Sequence, residues 1–280
     1  MSADGVRERV LGRLECMVSG SGPPLILLPG LAPENRRPVG LMRSGEIQTM
    51  SLFARSFTTY WVGRPTGLAL GTSFAQMTAI TAAALREEFD SPVNVLGIST
   101  GGSLAQQLAA DFPDLVRRLV LVSTGSRLAG HSARTQRAMI EVAARGRSRP
   151  LMAAFAWDVV PPWRGRIVAA TAMYLGGLKA YPGARDLQDL RVTLEAEEAF
   201  DLRSLATISA PTLIINGGKD RFYEPEVVRE TAELIPGSRL VIYPNRGHVT
   251  VVSDRRAVRA AIDFLSTDQK RTVPVPDGVA

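Results

Sequence analysis

The chain has 280 residues, with 33 Lys and Arg against 27 Asp and Glu, a formal net charge of +6, and 45% hydrophobic residues. That length can bury a core without covalent staples, and a single cysteine, Cys16, excludes an internal disulfide. The basic surplus is scattered arginine rather than a stripe on a recognisable module, and no apolar run nears the ~20 residues that span a bilayer, so neither nucleic acid nor a membrane span is expected.

The opening MSADGVRERV carries charges where an export signal needs an apolar block. With one cysteine, this points to a reducing, cytoplasmic location. Arg13 to Val18, RLECMV, reads as an added antiparallel edge strand, with Cys16 as packing. PLILLPG (Pro24 to Gly30) is an apolar run stopped by Pro and Gly, and FTTYWVG (Phe57 to Gly63) is rich in β-branched and aromatic residues. VNVLGI, RRLVLVST, APTLIING and SRLVIYP follow. Runs that are apolar at successive positions fit strands covered on both faces, as in a parallel sheet. Helical patterns alternate with them in SFAQMTAITAAALREEF, GGSLAQQLAADFP, PEVVRETAELIPG and SDRRAVRAAIDFLST. The alternation predicts an α/β fold.

The rhythm breaks between about Ser126 and Ala206. Successive helical segments punctuated by Pro150, Pro161-Pro162 and Pro182-Gly183 replace the strands. The expected organisation is an α/β core of residues 1–125 and 207–267, a helical cap of residues 126–206, and a disordered Pro-rich tail of residues 268–280. The cap's Phe155, Trp157, Trp163, Met173 and Tyr174 either wall a pocket or form the cap's own core.

Gly97-Ile98-Ser99-Thr100-Gly101-Gly102 stands between a predicted strand and a predicted helix. A sharp turn there would lift the Ser99 hydroxyl above the sheet edge at a helix N-terminus, with glycines leaving room around it. A serine hydroxyl needs a base within hydrogen-bond reach to become a nucleophile. There are two histidines. His248 follows the last predicted strand, at the same sheet edge as Ser99; His131 lies in the cap and could line a substrate cavity. The base needs an acid to orient it. Asp220 follows the strand APTLIING, and Glu224 is the reserve candidate.

The motifs LLPG, GISTGG, APTLIINGGKDRFYEPE and NRGHV, in that order, resemble the α/β-hydrolase fold superfamily across about Arg13 to Leu265. The resemblance implies a mostly parallel eight-stranded sheet, a helical cap between the sixth and seventh strands, and a Ser99–His248–Asp220 triad at the carboxyl edge. It also implies an oxyanion hole from the amides of Thr100 and of Leu31 or Ala32. Two positions depart from the usual pattern. Pro29-Gly30 replaces a frequent His-Gly, and VGRPTGLALGTS keeps Arg64 and Gly67 but has Val62 or Gly63 where an aspartate is common. The implied activity is hydrolysis of a carboxylic ester, thioester or related acyl compound, the partner being a small, apolar acyl substrate. No metal or organic cofactor is expected. Carbon–carbon bond hydrolysis, perhydrolysis, or slow-turnover reception of a small molecule are the alternatives on the same residues.

Overall fold

The computed structural model describes residues 5–146, 183–204 and 207–267. Its sheet comprises β1 (Arg7–Leu11), β2 (Leu14–Gly20), β3 (Pro24–Leu28), β4 (Thr58–Val62), β5 (Val93–Ile98), β6 (Val116–Val122), β7 (Thr212–Gly217) and β8 (Arg239–Tyr243). The order is β1-β2-β4-β3-β5-β6-β7-β8. β1 and β2 pair antiparallel, β2 meets β4 antiparallel, and every pairing from β4 to β8 is parallel. The expected α/β architecture with a mostly parallel sheet is therefore present. One strand assignment needs correction. RLECMV is not at the edge: it belongs to β2, and β1 lies outside it. The sequence RERVL hides this edge strand because four of its five residues are exposed.

The helices described are α1 (Gly40–Ser51), α2 (Phe74–Glu88), α3 (Thr100–Asp111), α4 (Gly130–Ala144), α5 (Ala184–Glu198), α6 (Pro225–Leu234) and α7 (Arg255–Ser266). Strand side chains alternate between two cores. Ile26, Leu28, Leu119 and Leu121 pack with Met77 and Leu85 of α2, Leu108 of α3 and Val228 of α6. Leu25, Leu27, Val120 and Val122 pack with Met50 of α1 and with Val258, Ala261 and Leu265 of α7 on the opposite face. Covering both faces is what makes the strands read as unbroken apolar runs.

Local signals set several helix starts. Ser73 and Gln76 form a reciprocal capping box at α2. Pro225 opens α6. Asp254 caps α7, its carboxylate accepting from the amides of Arg256 and Ala257. α4 and α5 lie in the chain between β6 and β7 and pack on each other through Met139, Ala143, Leu190 and Leu194. α5 is also docked on the core: the buried Asp189 carboxylate accepts from the amides of Gly67 (2.9 Å) and Leu68 (2.7 Å).

From β3 the chain passes to β4 on one side and then returns to β5 on the other. The carboxyl ends of β3 and β5 thus flank a topological switch point, where open α/β sheets form their ligand crevice. Among the described residues no helix is long and apolar enough to cross a membrane.

Candidate active site

Ser99 follows β5 directly, at φ 52° and ψ −123°, a conformation that L-residues rarely adopt. Close approach by neighbouring backbone explains the glycines. A Cβ on Gly97 would sit 2.5 Å from the Gly101 carbonyl oxygen, and one on Gly101 would overlap the Leu28 and Pro29 carbonyls. A Cβ on Gly102 would strike Thr124. The amide of Ser99 still donates to Val122 (2.9 Å), extending the β5–β6 ladder, while its carbonyl accepts from Gly102 (2.7 Å) as the helix begins. Ser99 occupies the N-cap position of α3, yet its hydroxyl caps nothing. It faces His248 instead.

His248 Nε2 lies 3.0 Å from Ser99 Oγ, and its Nδ1 lies 2.9 Å from Asp220 Oδ2. All three residues are buried. The second oxygen of Asp220 accepts from the amides of Phe222 (2.8 Å) and Tyr223 (3.0 Å), which fixes the carboxylate plane. The imidazole packs edge-on against Phe222 and stacks on Tyr223, whose ring is inclined 19° to it at 6.1 Å. The backbone carbonyl of His248 accepts from Ser123 Oγ at 2.8 Å. Ser123 follows β6 at φ 50°, a second non-glycine residue in the left-handed region. Sequence reading passes over both: Ser123 only ends an apolar run, and Tyr223, although inside the motif around Asp220, carries no sign of a role of its own.

Asp220 is the carboxylate within hydrogen-bond reach of His248. Glu224, the reserve candidate, is the N-cap residue of α6. Thr100 is the first residue of α3, directly after Ser99, so its amide belongs to a helix N-terminus, where negative charge is favoured. Leu31 lies in the turn after β3 and packs against the α4–α5 cluster. That turn is clamped by Arg64, which donates to the carbonyls of Gly30 (3.0 Å) and Pro29 (3.3 Å) and to Asn35 Oδ1 (2.8 Å). Burial pushes the Arg64 guanidinium down to about 10, so it remains charged at neutral pH. Pro29-Gly30 therefore forms a shaped turn held from below.

Ser99 and His248 open into a cavity of about 420 Å³. Its described wall is largely apolar, with Leu31, Met42, Leu52, Ile98 and Val252 among the lining residues. Glu46 of α1 is the acidic group on this wall, and burial pushes its carboxyl up. α1 is unmarked in the sequence: it has a glycine in its middle, no side-chain cap and little amphipathic pattern. His131 stands in the first turn of α4, half-buried, and is not part of the cavity's described wall. Trp157 and Trp163, like Phe155, Met173 and Tyr174, lie outside the described residues. Among the described residues no group of three or more His, Cys, Asp or Glu side chains could hold a metal ion.

Comparison with known proteins agrees with this architecture. The chain is 31% identical over 211 residues to the pimeloyl-acyl-carrier-protein methyl ester esterase of Neisseria meningitidis serogroup C, an alignment covering 69% of this chain and 77% of that protein. The crystal structure of an enol-lactonase from Burkholderia xenovorans superposes with a TM-score of 0.74 at 20% identity, covering 93% of this chain and all of that one. A hydrolase from Pseudomonas aeruginosa gives a TM-score of 0.70 at 22% identity, covering 95% of this chain and all of that one. The sequence matches the family described as the alpha/beta hydrolase family over residues 25–261. With its sheet, its switch-point cavity and this match, the chain belongs to the alpha/beta hydrolase family and is a hydrolase.

Proposed function

We propose that this hydrolase cleaves small carboxylic esters or thioesters through an acyl-enzyme on Ser99. The supporting observation is the unbroken hydrogen-bond chain from Ser99 Oγ through the His248 imidazole to Asp220, inside a cavity open to substrate. Ser99 Oγ bonds to the acyl carbon as His248 Nε2 takes its proton. The resulting imidazolium is stabilised by Asp220, whose other oxygen is held by two backbone amides and keeps the ring in register. The carbonyl oxygen gathers negative charge near the amides of Thr100 and Leu31. Collapse breaks the bond to the alcohol or thiol, which leaves with the proton from His248. Water, deprotonated by the same nitrogen, then attacks the acyl carbon; the bond to Ser99 Oγ breaks, Oγ takes back the proton from His248, and the acid leaves. No metal or organic cofactor enters the scheme.

The apolar wall of the cavity favours an aliphatic or aromatic acyl group over a charged one. The methyl ester esterase among the relatives favours an ester over a carbon–carbon bond as the scissile group. Residues 126–206 act as a cap in this reading, with α4 and α5 packed beside Leu31. The test is a fluorophosphonate probe with peptide mass spectrometry, alongside turnover of a p-nitrophenyl ester series. Ser99 should carry the label, and Ser99→Ala should lose both label and turnover. Labelling elsewhere, or a turning-over Ser99→Ala enzyme, refutes the assignment.

A further inference from the structure

A fully buried carboxyl that the scheme above does not use stands directly behind the elbow. Glu197, near the end of α5, accepts from Thr100 Oγ1 (2.9 Å) and Gln136 Nε2 (3.2 Å) on one oxygen. Its other oxygen accepts from the Tyr223 hydroxyl (2.9 Å) and, more weakly, from Ser103 Oγ (3.5 Å). Every partner is a donor, the complement that an ionised carboxylate satisfies. Burial nonetheless pushes the Glu197 carboxyl up, against these donors and the charge of Arg64.

Each partner leads to a different part of the site. Thr100 follows Ser99 and carries one of the amides assigned to the oxyanion. Tyr223 donates its own amide to Asp220 and stacks on His248. Gln136 belongs to α4 and also donates to the Leu194 carbonyl of α5, joining the two helices. The same helix pair packs on Leu31, the other residue assigned to the oxyanion. α5 has an independent anchor on the core in Asp189, so holding the helix down does not require Glu197.

We infer that Glu197 is a positioning residue for the acyl-transfer site, fixing Thr100 and the Asp220–His248 side together from the helices inserted between β6 and β7. The inference rests on the reading of Ser99 as nucleophile. Replacing the carboxylate by an amide must leave its oxygen facing Gln136 Nε2, an obligate donor, so its NH2 faces the Tyr223 and Ser103 hydroxyls; these must turn from donating to accepting, which shifts the Tyr223 side of the site.

The experiment uses the full-length enzyme, with active sites counted by fluorophosphonate labelling so that kcat refers to competent Ser99 alone. In Glu197→Gln, kcat per labelled site should fall about tenfold to hundredfold, short of the ~10²–10³ that follows outright loss of an oxyanion donor. KM should change by no more than about threefold, because the substrate wall is untouched. Thr100→Val removes only the hydroxyl contact and should lower kcat about fivefold, the size of one hydrogen bond. Unchanged kcat per site in Glu197→Gln overturns the inference. Should Glu197→Gln not fold, unchanged kcat in Thr100→Val overturns it. Absence of label at Ser99 in the unmodified enzyme would instead overturn the assignment of the nucleophile.

Discussion

Asp220→Asn is the sharpest perturbation of the site because its geometry leaves the amide a single orientation. The carboxylate has two unequal oxygens. Oδ1 accepts the amides of Phe222 and Tyr223, at 2.8 and 3.0 Å, and Oδ2 faces His248 Nδ1 at 2.9 Å. An asparagine must keep its oxygen at the first position, since an NH2 there would confront two N–H donors in a buried loop. Its NH2 therefore points at Nδ1 and donates to it. The imidazole then accepts at Nδ1 and carries its proton on Nε2, which lies 3.0 Å from Ser99 Oγ. The nitrogen that should take the serine proton already holds one. The expected loss in kcat is about 10⁴, the effect of imposing the wrong tautomer on such a triad, or about 5.4 kcal/mol at 1.36 kcal/mol per tenfold. The fold should survive, because shape and both loop hydrogen bonds are conserved. The assay is p-nitrophenyl ester hydrolysis at neutral pH, with circular dichroism to confirm folding. A loss smaller than about tenfold would show that Asp220 does not set the imidazole tautomer. Glu224→Gln serves as the companion and should stay within about twofold, Glu224 being outside the hydrogen-bond chain.

Two further predictions concern the scaffold. Gly101→Ala should destabilise by about 3 kcal/mol or more, lowering the melting temperature by roughly 6 °C or more, because its Cβ would overlap the Leu28 and Pro29 carbonyls and neither can move freely. Gly30→Ala should leave melting unchanged, its Cβ meeting nothing nearer than 3.5 Å; equal melting of both variants by differential scanning fluorimetry would contradict the close-approach account. For Asp254, burial opposes the charge, but hydrogen bonds from Arg246, Arg256 and two α7 amides outweigh it and hold the carboxyl well below the usual carboxylate range. A depressed folded-state value means that the charge stabilises above the ordinary aspartate pKa of about 3.9 and that this contribution fades as pH falls below it. Asp254→Asn keeps the cap but loses the ion pairs, so it should be about 1 kcal/mol less stable at pH 7, with the gap shrinking by about pH 3. Urea titrations at the two pH values measure this, and a gap that does not narrow contradicts it.

The parts of this fold that can be read from sequence are those under uniform physical pressure. β3 and β5 through β7 are buried almost throughout, so each carries an apolar run, with Gly or Pro at or near an end of β3, β5 and β7. β1 escapes notice because an edge strand with four exposed residues carries no such run. α1 escapes because Gly40 and Gly45 dilute its pattern, although it forms one wall of the cavity. Ser99, Asp220 and His248 can be read because each follows a strand at the same sheet edge, and the pair of histidines leaves few choices. Glu197 is different. Glu195 and Glu198 beside it pair with Arg191 and Arg137 at the surface, and composition does not tell the three glutamates apart. The usable signal is spacing: Asp189, Thr193 and Glu197 recur every fourth residue, beside Leu190 and Leu194, on the buried stripe of α5.

The two strained serines bear on how the sheet places the Ser99 hydroxyl and the His248 imidazole. Ser99 and Ser123 follow adjacent parallel strands, and each keeps its amide in the ladder, to Val122 at 2.9 Å and to Ile215 at 3.0 Å. In each case φ is near +50°, which a serine adopts only when surrounding structure over-determines it. Adjacent breaks in two strands serve opposite ends of one hydrogen bond: Ser99 presents its hydroxyl, while Ser123 Oγ holds the backbone of His248. The separation between hydroxyl and imidazole is thus set by the β5–β6 spacing, about 4.8 Å in any sheet, rather than by the loop alone. The loop after β8 would otherwise have to place His248 by its own stiffness. Tethered to the end of β6, it inherits the precision of the sheet, which is what holding Nε2 at 3.0 Å from Ser99 Oγ requires, and what the proposed proton transfer would need.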